Sequence, residues 1–221
     1  MYSFAQRSDT KVFDEPLYGH YLRITDSDHP GKDEIIKSMK ADGEKVISDI
    51  VDGKYDKEVL FFKQMTHHLI ELNEDFLKDV INVFLIRDPK ELIISFAKVI
   101  PEVTMERIGV KKQYDLFQKL FSDGQESIVI DSGEILKDPE KVLRELCEKL
   151  GIPFQKNMLR WNAGPIAEDG VWAKYWYENV HKSTGFSRPF RKDEELPEKF
   201  ILLYIECKKY YNYLKDFSIK A

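Results

Sequence analysis

Short apolar, β-rich runs alternate along this chain with longer stretches in which apolar side chains recur at helical spacing, a pattern that predicts an α/β fold. The runs Lys11 to Phe13, Val59 to Phe62, Val80 to Ile86 and Glu126 to Asp131 each read as a strand. Val80 to Ile86 has the near-continuous apolar character expected of a parallel strand buried on both faces. Between the strands, Asp33 to Val51 is amphipathic, with Ile35, Ile36, Met39, Val46, Ile47 and Ile50 as its inner face and Gly43 dividing it in two. Thr104 to Phe121 is a helical stretch rich in Lys, Tyr and Phe, and Asp193 to Asp216 ends in helical pattern interrupted near Pro197. Met1 to Ser8 reads as part of a helix, and DEPLYGHYL as a turn into another with Pro16 in its first turn.

Two helix starts carry strong punctuation. Asp88 stands where an N-cap belongs, Pro89 takes the first helical position and Glu91 completes a capping-box-like pair. Asp138 and Pro139 repeat the signal before the stripe Val142, Leu143, Leu146 and Leu150; Gly151 terminates that helix and Pro153 prevents its continuation. Strand followed at once by helix delivers Arg87 to the C-terminal edge of a strand, where open α/β sheets bind ligands. A cation beside a helix N-terminus suits a phosphate. Ser95 lies seven residues past the cap, on the same helix face roughly 10 Å further on. The competing reading makes Arg87 a strand-end ion pair and Ser95 a solvated helix position.

Composition narrows the class. With 221 residues, 43% of them hydrophobic, the chain can bury a full core, and one domain spanning residues 1–221 is the simplest expectation. A net charge of -5 argues against nonspecific nucleic-acid binding, which needs basic clusters, so any anion site must be local. Cys147 and Cys207 fall in helical patterns without a CxxC, the arrangement of buried reduced thiols. There is no basic-then-apolar leader and no apolar run near the roughly 20 residues of a spanning helix. The expectation is a soluble, cytoplasmic protein without a membrane partner.

Met158 to Phe186 changes character, with Gly and Pro punctuation, all three Trp and a cluster of Tyr. A long loop so dense in aromatics reads as a lid or binding surface, although Trp161, Trp172 and Trp176 taken singly favour packing over stacking on a ligand.

The string RDP, apolar residues, then Ser at plus eight resembles the 3′-phosphate-binding signature of sulfotransferases that use PAPS (3′-phosphoadenosine 5′-phosphosulfate). DPEKVLRELCEKLGIPF and GVWAKYWYENVHKSTGF follow in that family's order, and RSDTKVFDEPLYGHYL resembles a bacterial and plant branch of sulfotransferase-like proteins, some labelled aminotransferase-like. The resemblance covers nearly all 221 residues. It implies a P-loop nucleoside triphosphate hydrolase-like fold, a parallel sheet flanked by helices, and sulfuryl transfer from PAPS to a hydroxyl or amine on a small-molecule or glycan acceptor, with no metal. Arg87 and Ser95 would hold the 3′-phosphate, and Lys182, with Ser183 as a weaker ligand, would add contacts from a late Gly-containing loop.

Lys63, His67 and His68 sit where related enzymes carry a Lys and a His after a strand, as phosphosulfate ligand and general base. The chemistry suits these types: the acceptor must lose a proton and the bridging oxygen must be neutralised. Glu15 is a second candidate base; if it fills that role, His68 becomes a substrate-orienting donor. Against these roles, a His at a helix start is usually structural, adjacent His do not share a helix face as a metal pair would, and Asp14-Glu15-Pro16 fits a helix cap. The branch's strand and its phosphate-binding loop with Pro-Arg and Ser-Thr have no counterpart before Met1, none of the eleven glycines rebuilds that loop, and no GxxxxGK[ST] occurs. An N-terminally truncated fold is therefore expected. Two rivals follow: a domain that holds adenosine 3′,5′-bisphosphate without transfer, and a P-loop kinase, which needs a Walker A loop and a Mg²⁺-holding carboxylate. No Lys is marked as a Schiff-base site, and the acceptor and oligomeric state are open.

Overall fold

The structure, a computed structural model, describes residues 1–25, 27–100, 102–187 and 194–221; Asp193, where the last helical pattern is expected to begin, lies outside them. The chain forms two compact units, Met1–Asp79 with Gln155–Gly185 and Val80–Phe154 with Phe186–Ala221.

In the first unit, β1 (Thr10–Asp14) pairs in parallel with β2 (Val59–Lys63), with Thr10 opposite Val59 and Asp14 opposite Lys63. A parallel pair needs a long crossover, and the helices Tyr18–Ile24, Lys32–Ser38 and Gly43–Val51 supply it. The amphipathic stretch breaks where Gly43 predicts, because the Asp42 carboxylate accepts from the Lys45 N–H and starts a new helix. Tyr18, Tyr21, Leu22, Ile35 and Trp172 form a buried cluster over this crossover. Pro16 lies in the turn before the helix rather than in its first turn, and Leu17 stands at an N-cap without a side-chain cap bond.

In the second unit, β3 (Asn82–Ile86), β4 (Ser127–Asp131) and β5 (Ser218–Ile219) form a parallel sheet in that order. The strands thus divide into two parallel sheets where a single one was expected. Burial of β3 on both faces is not found: Phe84 and Ile86 are buried, whereas Val83 is 38% and Leu85 61% exposed. Phe84 packs edge-on against Phe117, 5.6 Å between centroids, and the alternate side chains face outward. An apolar run states that a strand is suited to burial; how many faces are covered depends on what packs there.

Helix punctuation holds. Asp88 accepts from the Lys90 N–H ahead of Pro89–Phe96, and Asp138 from the Lys141 N–H ahead of Pro139–Lys149. Gly109, at φ 68, divides the 104–121 stretch into Met105–Ile108 and Val110–Ser122. Ile93, Val103, Met105, Ile108, Val110, Phe200 and Cys207 form the core beside the terminal helix Ile201–Asp216. Cys147 and Cys207 are both buried. Among the described residues no helix is long and apolar enough to cross a membrane.

Candidate functional site

The register of β1 and β2 brings together, at their C-terminal ends, residues almost fifty positions apart. Asp14 and Lys63 are cross-strand partners, and the Lys63 ammonium lies 3.2 Å from Asp14 Oδ1. The ladder continues one residue further, with the Glu15 N–H donating to the Lys63 carbonyl at 2.8 Å. Glu15 then turns the chain through φ 45, a left-handed conformation that is uncommon and costly for a residue with a Cβ. That turn folds its carboxylate back onto the Lys63 ammonium, which donates to Glu15 Oε1. The Asp-Glu-Pro segment therefore does not cap the following helix; both carboxylates face Lys63.

A fourth group arrives from the aromatic segment. The Tyr177 hydroxyl donates to the Asp14 carboxylate, 2.7 and 2.9 Å from its two oxygens, and accepts from Lys63 Nζ at 2.5 Å. The Gly170 N–H adds a 3.2 Å bond to Asp14 Oδ2. The site is deeply set: the Asp14 side chain is 1% exposed, Glu15 9% and Lys63 28%. Burial disfavours the Lys63 ammonium, but the two carboxylates outweigh it and raise its pKa above the ordinary lysine value. Burial pushes the Glu15 carboxyl up from the carboxylate range against the pull of Lys63. Tyr177 is held well above the ordinary phenol value by burial and by the Glu15 and Asp14 charges, so its hydroxyl stays protonated.

His68 lies behind this group in the short 3₁₀ turn Thr66–His68, with Nδ1 4.0 Å from Glu15 Oε2. Its ring stacks on Tyr18 and Tyr21, each 4.8 Å away between centroids, and its side chain is 1% exposed. Burial, reinforced by His67 and Lys63, drives its pKa well below the ordinary histidine value, so the ring is neutral, and Nδ1 has no hydrogen-bond partner among the described residues. Burial lowers His67 to about 4, and its ring meets Tyr21 edge-on at 5.1 Å.

The remaining residues singled out in the sequence are distributed differently. Lys182 is 70% exposed and pairs with Glu178 one helical turn back. Ser183 caps locally: its hydroxyl donates to the Val180 carbonyl at 2.7 Å and accepts from the Trp161 indole at 3.0 Å. In the second unit, Arg87 follows β3 and its Nε lies 3.2 Å from Glu91 Oε2, while Ser95 sits half-buried in the helix Pro89–Phe96. Of the three tryptophans only Trp172 is buried.

Sequence reasoning brought Glu15, Lys63 and His68 to one place but missed Asp14 and Tyr177. Asp14 carried a faint signal as the neighbour of Glu15 at a strand end. Tyr177 carried none, since 163 residues separate it from Asp14 and its sequence setting marks only an aromatic-rich segment.

Residues 1–205 match a family model described as a sulfotransferase domain. Two curated relatives from Arabidopsis thaliana, branched-chain-amino-acid aminotransferase-like proteins 2 and 1, are 42% and 41% identical over 97% and 98% of this chain. The chain spans 38% and 39% of their lengths. Among solved structures, a sulfotransferase domain from the curacin biosynthetic pathway superposes with a TM-score of 0.50 at 15% identity, covering 90% of this chain and 78% of that one. At that identity the likeness shows the fold, an α/β arrangement of parallel strands flanked by helices, and nothing finer.

Proposed function

Since this chain belongs to the sulfotransferase domain family, we propose that it transfers a sulfuryl group from PAPS to a hydroxyl or amine of a small-molecule or glycan acceptor. The observation that carries the reading is the half-buried Lys63 ammonium, held between two carboxylates at the C-terminal ends of parallel strands. This is the edge at which α/β sheets bind ligands, and an ammonium there fits an anionic co-substrate.

PAPS supplies an activated sulfuryl group. The acceptor oxygen or nitrogen bonds to its sulfur as the bond from sulfur to the bridging phosphate oxygen breaks; that oxygen keeps the electron pair, and adenosine 3′,5′-bisphosphate leaves. Lys63 neutralises the charge that develops there. The acceptor proton goes to Glu15, whose carboxyl burial makes more basic than an exposed one. His68, neutral and packed against Tyr18 and Tyr21, supports Glu15 from behind and presents a donor or acceptor nitrogen according to its tautomer. Arg87 and Ser95 bind the 3′-phosphate, with Arg87 exchanging Glu91 for the ligand. Lys182 adds an exposed cation toward the nucleotide by trading its Glu178 partner, and Ser183 contributes by fixing the loop.

Calorimetric titration of adenosine 3′,5′-bisphosphate tests this. Binding is expected to the unsubstituted chain, and Arg87→Ala should weaken it by about tenfold or more, the scale of a charge-assisted phosphate contact. No binding by the folded chain, or equal affinity for the variant, overturns the assignment.

A further inference from the structure

The ammonium of lysine has three N–H donors. Lys63 meets three acceptors, Asp14 Oδ1, Glu15 Oε1 and the Tyr177 hydroxyl oxygen, so its donors are all in use. Two of the three partners are acidic groups supplied by the strand end itself, one the register partner of Lys63 and the other the next residue along. Tyr177 is the neutral partner and comes from a different part of the unit, between the short helices Ala173–Trp176 and Glu178–His181.

We propose that Tyr177 is a positioning residue that acts through Lys63: its hydroxyl fills the third place on the ammonium and is the group a ligand oxygen must displace. The inference rests on the functional reading above, in which Lys63 receives the phosphate oxygen of the nucleotide. Displacing either acidic group would take a direct charge partner from Lys63 in a site where charge is poorly solvated. Displacing Tyr177 removes only a neutral acceptor, and its O–H can stay on Asp14, whose two oxygens it already spans. The same hydroxyl keeps Lys63 oriented toward the strand ends while no ligand is bound.

The sign of the expected effect separates this role from a merely structural one. In Tyr177→Phe the Asp14 carboxylate loses one donor with or without ligand, and the free site alone also leaves a Lys63 N–H without its acceptor, which raises the energy of the unliganded state more than that of the liganded one. Adenosine 3′,5′-bisphosphate should therefore bind Tyr177→Phe at least about threefold more tightly than the unsubstituted chain, the scale of one hydrogen bond. Titrations run side by side on the unsubstituted chain, Tyr177→Phe and Arg87→Ala distinguish the outcomes. Binding that Arg87→Ala weakens and Tyr177→Phe leaves equal or weaker overturns the Tyr177 role while the nucleotide assignment stands. Absence of binding by all three chains overturns both. Should Tyr177→Phe not fold, the ultraviolet difference spectrum of the unsubstituted chain decides: a ligand-induced tyrosine band supports displacement, and a flat spectrum at saturation overturns it.

Discussion

Replacing Lys63 by Met removes the ammonium and keeps most of the aliphatic stem, so the expected loss is electrostatic. Asp14 and Glu15, with side chains 1% and 9% exposed, then remain buried without their cation. Breaking a buried pair by removing one partner costs about 3–5 kcal/mol. Asp14 keeps the Tyr177 O–H and the Gly170 N–H, which places the variant near the lower end, about 3 kcal/mol. With a urea slope of about 2 kcal/mol per molar, the unfolding midpoint should fall by roughly 1–2 M. Tryptophan emission is the right probe, because Trp161, Trp172 and Trp176 all lie in Gln155–Gly185, within the unit that contains Lys63.

The loss should also depend on pH, with a definite sign. Burial already raises the Glu15 pKa in the intact site, and Lys63 opposes it; without Lys63, burial and the Asp14 charge act unopposed. A carboxyl raised in the folded state contributes stability below its unfolded value of about 4.3, and that contribution is lost as pH rises through the folded value. The variant's deficit should therefore be larger at pH 8 than at pH 5, and adding Glu15→Gln should recover part of it at pH 8. A deficit below about 1 kcal/mol, or one identical at the two pH values, would refute the claim that buried, cation-dependent carboxylates hold this site together.

Two further outcomes follow from the packing. Ile86→Ala should cost about 2–4 kcal/mol by emptying a buried position, while Leu85→Ala, one residue away and 61% exposed, should stay within about 1 kcal/mol; circular dichroism in urea compares them, and equal losses would restore the reading of β3 as buried on both faces. His67, lowered to about 4 by burial, contributes stability that is full above its unfolded value of about 6.5 and is lost as pH falls through the folded value. Unfolding midpoints followed by tryptophan emission should drop between pH 6.5 and 4, and His67→Phe should flatten that slope, with His68 supplying what remains.

What the sequence by itself determined was local. Asp88-Pro89 and Asp138-Pro139 start their helices where they stand in the chain, Asp42-Gly43 divides the amphipathic stretch, and Gly109 and Gly151 take left-handed turns at φ 68 and 67. These features depend on a few neighbouring residues, because capping bonds and φ preferences act within a helical turn. The order of strands and helices, and with it the family, follows from the same local signals together with the RDP-to-Ser string. Which face of β3 is covered, how the strands divide into two sheets, and what surrounds Lys63 are different in kind. Asp14 meets Lys63 because of strand register, and Tyr177 meets both because a segment more than a hundred residues downstream returns to the end of β1. Hydrogen bonds and ion pairs act over a few ångströms of space whatever the separation along the chain. Only the tertiary structure could turn an Asp that reads as part of a helix cap and one Tyr among eleven into the partners that saturate the lysine.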